Sequence, residues 1–120
     1  MATNFVQPGN TMTITAAADL VSGQVVRVGQ SLCVALEDIA NGATGSVARV
    51  GVFTVPKVSA AVIAQGERLV WDASAAAFDD NAATPATGDV SGEAAVAFEA
   101  SGNGVTSMQV MFTGVPGTVA

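Results

Sequence analysis

The chain has 120 residues, of which half are apolar and only 12% are charged, whereas about 25% are charged in an average soluble domain. It carries four basic and ten acidic residues, a net charge of −6 at pH 7, and no histidine. The scattered basic residues argue against binding to nucleic acid or to an anionic membrane, and the absence of histidine argues against histidine-based catalysis and a typical zinc site.

The segment 1–10 is predicted to be an extended N-terminal arm, because Pro8 followed by Gly9 interrupts any regular element. The start of the chain lacks the basic residues and the unbroken apolar stretch of a signal peptide. The last twenty residues include Gly, Asn and Pro, which argues against a membrane span. We therefore expect a protein made without a targeting segment and without membrane contact.

Residues 11–120 are predicted to form a single all-β domain, a small antiparallel sandwich or barrel. Apolar residues alternate with polar ones in short runs that are separated by glycine and asparagine turns, which is typical of such folds. We expect about eight strands within the runs TMTIT (11–15), GQVVRVG (23–29), SLCVALED (31–38), GSVARVGVFTVP (45–56), GERLVWD (66–72), GEAAVAFEA (92–100) and GVTSMQVMFTG (104–114).

Three local features refine this prediction. Cys33 is the only cysteine, and within an apolar strand we expect its thiol to be buried and inert. The run 45–56 is long enough to serve two sheet regions, with a bend at Gly51. The segment 58–66 favours a short helix of about two turns, because Ser59 and Gly66 are suitable capping residues at its two ends.

The segment AQGERLVWDASAAAFDD (64–80) contains the only tryptophan, Trp71, and several carboxylates. Aspartate is common in turns, so we interpret the segment as a hairpin with solvated carboxylates. A catalytic carboxylate pair or a calcium site are the alternatives, but the spacing does not match a calcium loop. We interpret Trp71 as a core residue, with an exposed interface position as the alternative. The expected core anchors are Phe53, Leu69, Trp71, Phe98 and Phe112.

The order of several segments resembles the tailed-phage capsid decoration, or capsid cement, protein family. The resemblance covers nearly the whole chain and is most specific at GVFTVPK (51–57) and at the G-x-x-L-V-W-D strand (66–72). It also includes MATNFVQPG (1–9) and the final GEAAVAFEA (92–100). The chain departs from many relatives at Val70, where they have tyrosine, in the long polar loop 79–89 and in the tail 114–120.

The resemblance implies a non-enzymatic virion protein without cofactor or metal, made in the cytoplasm of the host bacterium. Such a protein binds the outer surface of the mature capsid and stabilises it. The implied partners are the major capsid protein of a tailed phage and further copies of the chain in a homotrimer. An arm that adds a strand to the capsid protein's sheet has as candidate contacts Thr3, Asn4, Phe5, Val6, Gln7 and Pro8.

Two other functions remain open at this point. A small β-sandwich displayed on a virion could bind a glycan or a host surface, although the sequence has few aromatic residues for this purpose. A subunit of another phage structure, such as a head fibre or a tail tube, would differ chiefly in its partner. The low charge of the chain favours a surface that is partly buried against other subunits in either case.

Overall fold

The computed structural model describes residues 4, 7 and 9–120. Over these residues the chain forms eleven β-strands and no helix, so the all-β prediction is confirmed. The count exceeds the predicted eight because short strands form between the predicted runs. The strands are β1 (Thr11–Thr15), β2 (Val25–Val28), β3 (Ser31–Ala35), β4 (Thr44–Ala48), β5 (Val50–Pro56), β6 (Val70–Asp72), β7 (Ala77–Asp79), β8 (Val90–Ser91), β9 (Ala95–Ala97), β10 (Ser107–Thr113) and β11 (Thr118–Val119).

The strands form three antiparallel sheets. The first has the order β1-β4-β3-β2, the second β5-β10-β9 and the third β11-β8-β6-β7. In the second sheet, all seven residues of β5 pair with all seven of β10. This long ladder makes the second sheet a regular platform with two well-defined faces.

The run 45–56 serves two sheets, as predicted. Its first half is β4 of the first sheet and its second half is β5 of the second, with the break at Arg49. Gly51 lies just after the break with φ 129°, a conformation that residues with a Cβ rarely adopt. A Cβ there would also lie 3.2 Å from Cε2 of Phe53, so both backbone and space favour glycine.

The helix predicted over 58–66 is wrong. The amide of Ile63 donates to the carbonyl of Ser101 at 2.8 Å, and the return bond measures 2.9 Å, so the segment pairs with a distant part of the chain. Ala61 and Ile63 are buried while Val62 is 66% exposed. This alternation has the period of extended chain, and burying two side chains in that register outweighs the weak helical propensity of a short alanine-rich segment.

The main hydrophobic core is built around aromatic rings in edge-to-face contact. Trp71 and Phe78 are direct cross-strand partners in the β6–β7 hairpin, with ring centroids 4.9 Å apart. Phe78 in turn contacts Phe112 at 5.8 Å, and Phe112 contacts Phe53 at 5.9 Å. The predicted hairpin is therefore confirmed, and its two large side chains join the second and third sheets.

A second, smaller core lies within the first sheet. It consists of Ala16, Cys33, Ile39 and Val47, with four partly buried side chains around them. The thiol of Cys33 is buried as expected, and burial raises its pKa above the ordinary value, against a smaller opposing effect of Arg49. Few thiolates therefore form at neutral pH, and the side chain acts as a small apolar group.

The prediction that Phe98 is a core anchor is wrong. Leu69, Trp71 and Phe112 are buried and Phe53 is partly buried, but Phe98 is 48% exposed. The reason is the register of β9, in which Ala95 and Ala97 pair with Phe112 and Val110. Cross-strand partners lie on the same face of a sheet, so the alanines point inward and Phe98 points outward.

Candidate functional site

The carboxylate of Asp72 shapes the tip of the tryptophan hairpin. Its Oδ1 accepts hydrogen bonds from the hydroxyl of Ser74 at 2.7 Å, from the amide of Ser74 at 3.1 Å and from the amide of Ala75 at 3.2 Å. The Ser74 hydroxyl, followed by the Ala75 amide, lowers the pKa of Asp72 below its ordinary value. The carboxylate therefore stabilises the turn at the hairpin tip in its ionised form.

Asp89 has a similar role inside the protein. It is 5% exposed, and its two oxygens accept hydrogen bonds from the amides of Ala73 and Ala86, each at 3.0 Å. Over residues 4, 7 and 9–120, no group of three or more acidic or cysteine side chains is close enough together to hold a metal ion. The carboxylates of the hairpin region therefore organise loops.

Lys57, the only lysine, is a structural residue that the sequence analysis did not single out. It is 3% exposed, and its Nζ donates to the carbonyls of Gly102 at 2.9 Å, Val105 at 3.1 Å and Ser59 at 3.4 Å. These contacts join the end of β5 to the turn that precedes β10. The sequence did contain an indication of this role. Lys57 directly follows an apolar strand, and a lysine that is buried at such a position needs hydrogen-bond partners inside the protein.

Arg49 determines where the N-terminal arm leaves the sheets. Its Nη1 donates to the carbonyl of Gly9, its Nη2 donates to that of Gly114 at 2.9 Å, and its amide donates to the carbonyl of Asn10 at 2.8 Å. One side chain thus connects the residues before β1 with the residue after β10. The arm is tied to the junction of the first and second sheets.

Only two of the six predicted arm contacts are described by the structure. Asn4 and Gln7 are exposed, and Nε2 of Gln7 donates to the carbonyl of Thr11 at 3.4 Å. The other four, Thr3, Phe5, Val6 and Pro8, lie outside the described residues.

One side of the second sheet, which we call the outer face, exposes several apolar side chains. It consists of the residues of β5, β10 and β9 that point away from the aromatic core. Val52, Met111 and Val96 are direct partners across the three strands and form its central row. Val52 is 42% exposed, Met111 37% and the neighbouring Phe98 48%. Apolar groups so placed typically mark an interaction surface.

The outward positions of β5, β10 and β9 hold no charged residue. Besides the central row, the residues of the outer face on β5 and β10 are Val50, Thr54, Pro56, Ser107, Gln109 and Thr113. The nearest acidic residue in sequence is Glu99, whose Oε1 accepts a hydrogen bond from the amide of Gln109 at 3.0 Å. Sequence analysis missed this surface because both alternating sets of the two long strands contain apolar residues, and only the inward set was considered.

A second apolar surface is a groove beside the tryptophan hairpin. It has a volume of about 370 Å³ and is lined by residues that include Val21, Val25, Pro56, Trp71 and Ala76. Trp71 is 8% exposed, so it belongs to the core and presents only a margin to this groove. The core interpretation of Trp71 therefore holds, and its alternative as an exposed interface residue does not.

Together these features define a small all-β protein with loop-forming carboxylates and a broad, uncharged, apolar sheet face. Over the described part of the chain, no helix is long and apolar enough to cross a membrane. A family model described as phage cement protein matches residues 6–112, whereas a search of curated proteins found no match. The chain belongs to the phage cement protein family. Membership implies a structural rather than an enzymatic role, bound to the capsid of a virion.

Proposed function

We propose that the protein binds the outer surface of the mature capsid of a tailed phage and stabilises the shell. The observation that carries this proposal is the match to the phage cement protein family over residues 6–112. The uncharged outer face of the second sheet supports it, since a protein that functions between other subunits needs a surface that loses little solvation when covered. The partner is the major capsid protein, and the protein is made in the host cytoplasm before it joins the virion.

We further propose that the protein acts as a homotrimer. Three linked copies engage three sites together, so that a weak contact made by each becomes a strong attachment through the high effective concentration of the others. The spacing of the sites on the shell then provides specificity. A precursor shell whose sites are spaced differently binds only one copy at a time and therefore binds weakly.

The N-terminal arm, residues 1–10, is proposed to contact the capsid protein, while residues 11–120 act as a single β domain. Arg49 supports this division, because its bonds to the carbonyls of Gly9 and Gly114 hold the base of the arm in a constant position. An extended segment leaving a fixed point is suited to add a strand to the edge of a partner's sheet.

Co-sedimentation with purified shells tests the proposal. The protein is mixed with expanded and with unexpanded shells of the phage that encodes it, and bound protein is measured in the pellet. We expect binding to expanded shells, weaker binding to unexpanded ones, and a higher temperature of DNA release from decorated particles. Equal absence from both pellets would contradict the proposed function.

A chain that begins at Gly9 tests the arm separately. It retains the carbonyl that Arg49 contacts, so the β domain should keep its stability in urea. We expect its binding to expanded shells to fall. Unchanged binding would mean that the arm is not a capsid contact, without contradicting capsid binding by the rest of the protein.

A further inference from the structure

The chain contains two asparagine–glycine pairs in exposed turns, Asn41-Gly42 and Asn103-Gly104. In such a pair the backbone amide nitrogen of the glycine can attack Cγ of the asparagine, because glycine has no Cβ to obstruct the approach. The new N–Cγ bond closes a cyclic imide, and the Cγ–Nδ2 bond breaks to release ammonia, which takes up the proton of the glycine amide. Water then opens the imide to an aspartyl or an isoaspartyl residue, so either product adds a carboxylate.

We infer that Asn103 is a latent deamidation site and that Lys57 protects it by holding the surrounding turn closed. Lys57 acts through the backbone of the turn, so it is a positioning residue in this role. The inference concerns the chemistry of the chain itself and does not depend on the proposed function.

The ammonium group of Lys57 contacts both ends of the turn that contains Asn103-Gly104. Its Nζ donates to the carbonyls of Gly102 at 2.9 Å and Val105 at 3.1 Å, the residues on either side of the pair. Its third acceptor, the carbonyl of Ser59 at 3.4 Å, also accepts a hydrogen bond from the amide of Gly104 at 2.7 Å. That amide must leave its acceptor before its nitrogen can attack Cγ, so the closed turn opposes deamidation.

The turn around Asn41 is closed by the backbone independently of Lys57. The amide of Ala43 donates to the carbonyl of Ala40 at 2.9 Å, and the amide of Gly42 donates to the carbonyl of Ala16 at 2.8 Å. Both distances are ordinary for N–H···O bonds. The same chemical pair is thus held in two different ways within one chain.

The turn around Asn103 is held less well by its own backbone. Its closing bond, from the amide of Val105 to the carbonyl of Gly102, measures 3.3 Å, beyond the usual upper limit of about 3.2 Å for a good N–H···O bond. The bonds of Lys57 to the carbonyls of these same two residues therefore supply much of the closure. Without the ammonium group this turn should open locally while the turn around Asn41 stays closed.

The position of the turn makes deamidation there damaging. Asn103 lies between Ser101, which bridges to Ile63, and β10, the central strand of the second sheet. An isoaspartyl residue inserts an additional methylene into the backbone, which displaces the turn carbonyls from Lys57 and the start of β10 from its pairing with β5. Protection of Asn103 therefore preserves the second sheet over the lifetime of the protein.

Deamidation rates in Lys57→Met test the inference. The folded variant and the wild type are incubated in the same mildly alkaline buffer, and peptide mass spectrometry follows the conversion of Asn103 and Asn41 in the same molecules. We expect Asn103 to react at least about tenfold faster in the variant, since it loses hydrogen bonds from a charged donor, with the rate at Asn41 unchanged. An unchanged ratio of the two rates would overturn the inference.

Two controls separate local opening from other effects of the substitution. Wild type in enough urea to match the stability of Lys57→Met should show both rates rising together, because global unfolding exposes both pairs. Arg68→Met removes a cation from an exposed side chain and should leave both rates at the wild-type level. A rise at Asn103 in Arg68→Met as large as in Lys57→Met would assign the effect to net charge and overturn the inference.

Hydrogen exchange of the wild type gives a test that needs no variant and decides if Lys57→Met does not fold. We expect the amides of Gly42 and Gly104 to be protected, since each donates to a backbone carbonyl. Exchange of the Gly104 amide at the rate of an unfolded chain would mean that the turn is already open in the presence of Lys57, and would overturn the inference.

Discussion

The two hydrophobic cores differ in size and in the kind of side chain that forms them. Among the residues that the structure describes, the main core contains sixteen buried residues, including Trp71, Phe78 and Phe112, whereas the core of the first sheet contains four, none of them aromatic. Strand β3 lies between them, since Leu32 and Val34 belong to the main core and Cys33 to the small one. The aromatic contacts thus concentrate stability at the second and third sheets, and the first sheet depends on close packing of small groups.

Replacing the central ring of the main core should have the largest effect. Phe78 is fully buried and touches both Trp71 and Phe112, so Phe78→Ala is expected to lower the free energy of unfolding by about 3–5 kcal/mol. Urea denaturation followed by tryptophan fluorescence measures it. Phe98→Ala is the matched control, because its ring is half exposed, and we expect a loss below about 1 kcal/mol. Similar losses in the two variants would show that the aromatic core is not dominant.

Removing the ammonium group of Lys57 tests the polar link beside the main core. Lys57→Met keeps most of the apolar stem but removes the Nζ donor from the carbonyls of Ser59, Gly102 and Val105. The carbonyls of Ser59 and Gly102 each keep a backbone amide donor, so only the Val105 carbonyl loses the Nζ bond without such a substitute. We expect a loss of about 2 kcal/mol in the free energy of unfolding. Arg68→Met removes a charge from an exposed side chain and should leave the urea midpoint nearly unchanged. If both variants behave alike, the loss reflects net charge and not the carbonyl contacts.

Overpacking the small core should have an intermediate effect. A Cβ at Gly45 would lie 2.5 Å from Cδ1 and Cγ1 of Ile39, so Gly45→Ala is expected to cost about 1–2 kcal/mol. Gly102→Ala has free space around it and serves as the control. In combination with Ile39→Ala the clash is removed, and the double variant should be more stable than the sum of the two single losses predicts. Simple additivity would contradict this account of the small core.

The smallest expected effect is at the tip of the tryptophan hairpin. Because the pKa of Asp72 is lowered in the folded state, its contribution to stability is present above its ordinary pKa and is lost as pH falls through the lowered value. Asp72→Asn should therefore weaken the protein slightly at pH 7 and less in strong acid. Urea midpoints at several pH values measure the difference, with Glu93→Gln as an exposed control. A larger difference in acid than at neutral pH would reverse the assigned sign.

The sequence by itself determined the fold class, the tryptophan hairpin and the family. Alternation of apolar and polar residues is a local property with a period of two, so TMTIT and SMQVMFT predict strands without knowledge of their partners. The pairing of Trp71 with Phe78 follows from the short turn between them. The order of the segments was sufficient for the resemblance to capsid cement proteins, which the family model then confirmed.

Tertiary structure alone decided the orientation of β9, the state of 58–66 and the partners of Lys57. Phe98 faces outward because Val110 and Phe112, which are distant in sequence, place Ala95 and Ala97 inward. The segment 58–66 forms two turns around an isolated bridge instead of a helix, because Ser101 pairs with Ile63. The outer face arises in the same way, since its central row joins residues from three strands. Such features depend on register between distant segments, and a local pattern contains no information about register.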